Sequence, residues 1–104
     1  MIETIKKLLG IGPKVDLGQL LANGAIIVDV RSPAEYAGGH LNRSVNIPLN
    51  ALQGGMSKLK KEVPVITCCA SGMRSSAAKS TLLANGFKEV HNGGSWYNLK
   101  KFDK

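Results

Sequence analysis

The residues best equipped for chemistry are Cys68-Cys69-Ala70-Ser71-Gly72-Met73-Arg74-Ser75. Cysteine attacks as a thiolate, and it reaches that form near neutral pH only beside positive charge or hydrogen-bond donors. The run ahead of it, Val65-Ile66-Thr67, is β-branched, and the Ala, Lys, Ser, Thr and Leu that follow suit a helix, so the order predicts strand, tight loop, helix. The first amides of a helix have no partner within it and carry the positive end of the summed peptide dipoles. Gly72 permits a turn that gathers further amides inward, a nest that binds anions. With Arg74 nearby, a cysteine opening this loop is shifted toward thiolate, able both to hold an anionic substrate and to attack it. The structural alternative is two small thiols closing a core strand, where free cysteine usually sits.

The elements that must carry this loop are legible on both sides of it. Ala25-Ile26-Ile27-Val28-Asp29-Val30 is a nearly unbroken apolar run, the pattern of a parallel strand covered on both faces. Ser32-Pro33-Ala34-Glu35 reads as a helix start, with serine as cap, proline at the first helical position and glutamate bonding back to the cap. Asp16 caps a shorter helix over Leu17 to Ala22 that Asn23-Gly24 ends, and Val15 starts a very short strand before it. His40-Leu41 and Val45 to Pro48 form a second extended piece, and Leu49 to Leu59 a broken helix around Gly54-Gly55. The loop's helix is expected over Ser75 to Asn85, with Gly86 just beyond its end. A last short strand is expected over Phe87 to His91. Asn92-Gly93-Gly94 then turns the chain into a closing helix over Ser95 to Phe102 that buries Trp96. Strands alternating with helices imply an α/β domain with a mostly parallel sheet, whose ligands bind beyond the carboxyl ends of the strands.

The 104 residues make one domain, with a helical extension over 1–12 and a core over 15–102. A hydrophobic content of 43% with 20% charged residues is ordinary for a globular chain, and no stretch approaches membrane-spanning length. The net charge of +7 favours anionic partners, but the basic residues are scattered and no aromatics interleave with them, so nucleic acid is not expected. Adjacent cysteines sit about 3.8 Å apart at Cα, short of the roughly 4.4 to 6.8 Å of a relaxed bridge, so no disulfide is expected. A reducing cytoplasm fits, and the first residues do not form a secretory signal. Two adjacent cysteines and two distant histidines give no metal site, and no phosphate-binding glycine motif implies a nucleotide cofactor.

Three segments resemble signatures of the rhodanese family. Asp29-Val30-Arg31-Ser32, Glu35-Tyr36, Gly39-His40-Leu41 and Asn46-Ile47-Pro48 are similar to the first signature, Cys69 to Ser75 to the active-site loop, and Gly86-Phe87, Val90, Gly93-Gly94 and Trp96 to the closing one. The resemblance runs from about Val15 to Trp96. It implies a three-layer domain with a five-stranded parallel sheet, acting as a thiosulfate sulfurtransferase, which we expect to be monomeric. Carried over by residue, Cys69 would accept the sulfur, the amides of Ala70, Ser71, Gly72, Met73, Arg74 and Ser75 would cradle it, and Arg74 would orient a small anionic donor. The persulfide would pass its sulfur to cyanide, a thiol or a protein acceptor. Where the family usually shows Pro-Gly-Ala, this chain has Asn42-Arg43-Ser44.

Counting from Cys68 instead lengthens the loop by one residue and resembles phosphatases and arsenate reductases of the same fold. Alternation along Pro64 to Cys68 favours Cys69 as the loop's first residue and turns Cys68 into the core. A non-catalytic interaction module is a third reading. Asp29 and Arg31 are supporting residues, orienting the loop or forming a structural ion pair, and His40 is expected to tie loops together.

Overall fold

The computed structural model describes residues 15–103; the helix expected over 1–12 lies outside them. The first helix, α1 (Leu17–Ala22), begins where the Asp16 carboxylate accepts the Gln19 amide at 3.0 Å, and it leads into β1 (Ile26–Asp29). α2 (Pro33–Ala37) carries the full capping box: the Glu35 amide donates to Ser32 Oγ, and the Ser32 amide to Glu35 Oε1. The chain continues through β2 (Ser44–Asn46), a broken helical stretch containing α3 (Leu52–Gly55), β3 (Val65–Cys69), α4 (Met73–Ala84) and β4 (Val90–Ser95). A 3-10 helix over Trp96–Phe102 closes it.

The four strands form one parallel sheet in the order β2-β1-β3-β4. β3 therefore lies inside, and all five of its residues are buried. The pleat divides them: Val65 and Cys69 enter one hydrophobic cluster with Val28, Val30, Ala78 and Leu82, while Ile66 and Cys68 enter another with Ile27, Leu41 and Leu99.

Several expectations need correction. The sheet has four strands among the described residues rather than five. Val15 is half exposed and unpaired, because the next residue already caps α1. β4 starts at Val90, not Phe87, since the Phe87 amide returns to the Leu82 carbonyl at 3.1 Å and so closes the end of α4. β4 also continues through Asn92-Gly93-Gly94 instead of turning away, with a shift of register against β3 at that point. Gly93 is there for close packing: a Cβ on it would meet Ile66 at 2.9 Å and the Thr67 carbonyl at 3.0 Å. α4 starts two residues earlier than expected, at Met73. The closing helix is 3-10 throughout, and Trp96 is half-buried at the edge of its cluster rather than sealed within it. At the corner with Asn42-Arg43-Ser44, the amides of Asn42 and Arg43 donate to the Asp103 carboxylate at 2.9 and 3.2 Å, so the chain's far end closes it.

Candidate active site

Cys69 is the last residue of β3, and three residues later Gly72, at φ 106°, turns the chain into α4. Only glycine holds that conformation without strain. Gly72 also abuts β4, where a Cβ on it would lie 3.4 Å from the Gly94 Cα. The turn brings donors onto the sulfur. The Gly72 amide donates to Cys69 Sγ at 2.9 Å and the Ser75 amide at 3.4 Å, while Ser75 Oγ, 3.5 Å away, accepts from the thiol.

Burial is the largest single influence on the Cys69 thiol and pushes its pKa up. The Ser75 hydroxyl and the amides of Ser75, Gly72 and Ser71 together outweigh it, and the net direction is down from the ordinary value. Cys68 has no such partners. Burial, reinforced by the Asp29 carboxylate, raises its thiol to about 12. Both side chains lack exposed surface, but Cys69 lies beneath the exposed residues Ala70, Ser71 and Met73 of its own loop. Starting the loop at Cys68 would need that thiol on the opposite face of the sheet.

Of the expected cradle from Ala70 to Ser75, three residues act on the sulfur among the described contacts: Ser71, Gly72 and Ser75. The amides of Gly72 and Ser75 point at Sγ, Ser71 contributes, and the Met73 side chain is 81% exposed. Arg74 belongs to the loop by sequence but turns its guanidinium outward. Its Nη1 and Nη2 donate to Glu35 Oε1 and Oε2 at 2.6 and 3.0 Å. Beside it opens a cleft of about 400 Å³ lined by Val30, Ser32, Pro48, Leu49, Asn50 and Arg74.

Asp29 and Arg31 form a buried, doubly bonded pair, with Arg31 Nη2 on Asp29 Oδ2 at 2.8 Å. Arg31 also donates to the Gly39 carbonyl at 2.8 Å and lies 4.6 Å over the Trp96 ring. The pair therefore braces the end of α2 and the closing helix and makes no bond to the loop. His40 likewise serves the frame, its Nδ1 2.7 Å from the Tyr36 carbonyl and its ring stacked on Tyr36 at 3.8 Å. Among the described residues no cluster of His, Cys, Asp and Glu could hold a metal ion.

Asn92 is a residue that sequence reasoning assigns only to a turn. Its Oδ1 accepts the Ser75 hydroxyl at 2.6 Å and the Gly94 amide at 2.9 Å, while its Nδ2 donates to the Gly72 carbonyl at 3.2 Å. The backbone amide on Oδ1 fixes which way the side chain faces. Thr67 Oγ1 adds a bond to the Ser75 carbonyl at 2.8 Å. The loop is thereby held from β3 and β4 at once. No local signal in the sequence marks it; the pairing of β3 with β4, which places Asn92 opposite Thr67, brings it to the loop.

The Rhodanese-like domain family matches residues 14–100. The uncharacterized protein YqhL of Bacillus subtilis is 38% identical over 65% of this chain and 54% of its own length, so the chain matches little more than half of that relative. Thiosulfate sulfurtransferase GlpE of Ectopseudomonas mendocina is 32% identical, over 78% of this chain and 74% of that protein. Among solved structures, the human single-domain sulfurtransferase TSTD1 is 26% identical with a TM-score of 0.69, covering 85% of this chain and 92% of that one.

Proposed function

The chain belongs to the rhodanese-like domain family, and from that premise we propose that it is a sulfurtransferase moving a sulfane sulfur from thiosulfate or a similar donor to a thiophilic acceptor through a persulfide on Cys69. One observation carries the reading: Cys69 Sγ alone of the two thiols is met by the amides of Gly72 and Ser75 and by the Ser75 hydroxyl. The names of GlpE and TSTD1 support the same reaction class.

The Cys69 thiolate attacks the outer sulfur of thiosulfate, a new S–S bond forms, and the old one breaks with its electron pair leaving on sulfite. The negative charge stays on the terminal sulfur of the persulfide, where the loop's amides stabilise it. A cyanide, a thiol or a protein thiolate then takes that sulfur and returns the Cys69 thiolate. Since Sγ has no exposed surface at rest, the turn from Ala70 to Gly72 must shift for the donor to arrive. Arg74 supplies the cation that draws a small anionic donor, and two unbridged thiols suit a reducing cytoplasm.

The test is thiocyanate formation from thiosulfate and cyanide, with hydrolysis of an aryl phosphate followed on the same sample. Thiocyanate without phosphate release is expected. Phosphate release alone would make the protein a phosphatase, and neither product would make it an interaction module.

A further inference from the structure

Glu35 has no role in the sulfur transfer as written, yet it occupies the loop's one guanidinium. Among the described residues all hydrogen bonds of the Arg74 side chain go to Glu35 and none to the loop. The carboxylate is not a loose surface group. It completes the capping box that Ser32 opens on α2, and its Oε1 accepts the Ser32 amide at 3.0 Å. Fork-to-fork pairing of carboxylate and guanidinium uses the same geometry that a sulfonate-like or sulfate-like anion requires. Both partners are 38% exposed in their side chains, so water screens the pair and an anion in solution can exchange with it. Arg74 also lines the cleft together with Val30, Ser32 and Leu49, and it stands five residues after Cys69 in the chain.

We propose that Glu35 is a built-in competitor for the anionic donor: it holds Arg74 in the resting protein, and a donor engages Arg74 only by displacing it. Glu35 thereby sets how strongly the site favours dianionic donors. This rests on the sulfur-transfer reading only in calling the anion a donor; the exchange itself concerns anion binding at Arg74.

Glu35→Gln tests it, because glutamine at this position keeps the capping bond to Ser32 while removing the charge. The KM for thiosulfate should fall about two- to fivefold, with kcat and the melting temperature unchanged. Sulfate, which cannot donate sulfur, should protect Cys69 from alkylation at concentrations lower by the same factor. Both shifts should vanish in an Arg74→Ala background. An unchanged sulfate protection would overturn the proposal, and a weakened one would show that Glu35 holds Arg74 in place for the anion. If the wild-type protein takes up no sulfur, the sulfate experiment still decides the point while the transfer reading fails on its own.

Discussion

Cys68 and Cys69 are consecutive in β3, both lack exposed surface, and the pleat sends them into different surroundings. On one face Cys68 packs among Ile27, Leu41, Ile66 and Leu99, and its thiol is raised to about 12. On the other, Cys69 ends the strand where the chain breaks into a turn, and amide donors join the apolar side chains around its sulfur. Burial acts against ionisation at both. The pair teaches that donors at the end of a strand, not exposure, decide which thiol ionises.

The contrast breaks most sharply by deletion. Cys69→Ser should reduce sulfur uptake from thiosulfate to background. Cys68→Ser should keep it while lowering stability by about 1–3 kcal/mol, because a hydroxyl is buried in an apolar cluster. Denaturant melts beside the sulfur-uptake assay check both, and the reverse ranking would move the loop's origin to Cys68.

A subtler change sharpens the comparison. For a group whose pKa is lowered, the reactive thiolate persists below the ordinary thiol range and is lost as pH falls through the lowered value. The alkylation rate of Cys69 should therefore rise with pH to a midpoint under 9.0 and then level. Ser75→Ala removes the hydroxyl beside Sγ and should move that midpoint upward. A midpoint that stays put would mean that the backbone amides suffice. The smallest expected effect concerns charge near the loop: Arg74→Ala should raise the KM for thiosulfate several-fold more than Lys79→Ala, because of the two only Arg74 lines the cleft. Equal effects in steady-state kinetics would reduce the role of Arg74 to bulk charge.

Much of this was legible in the sequence where donor and acceptor are close along the chain. Asp16 and Gln19, or Ser32 and Glu35, lie three residues apart, and cap chemistry identifies them directly. Alternation along β3 likewise separates Cys68 from Cys69. The rest depends on contacts that pattern does not encode. Asn92 reaches Ser75 across 17 residues and Glu35 reaches Arg74 across 39, so one reads as a turn residue and the other only as a cap. Gly93 looks like a turn signal, yet it is required by the approach of β4 to β3, and Phe87 has strand propensity but closes α4. In each case packing between elements overrides the local signal.

The most direct test is the mass of the intact protein after thiosulfate treatment, with the site mapped by digestion. A gain of a single sulfur atom is expected, carried by the peptide position of Cys69 and lost on reduction by a dithiol. A gain located on Cys68, or none on either thiol in the folded protein, would contradict it.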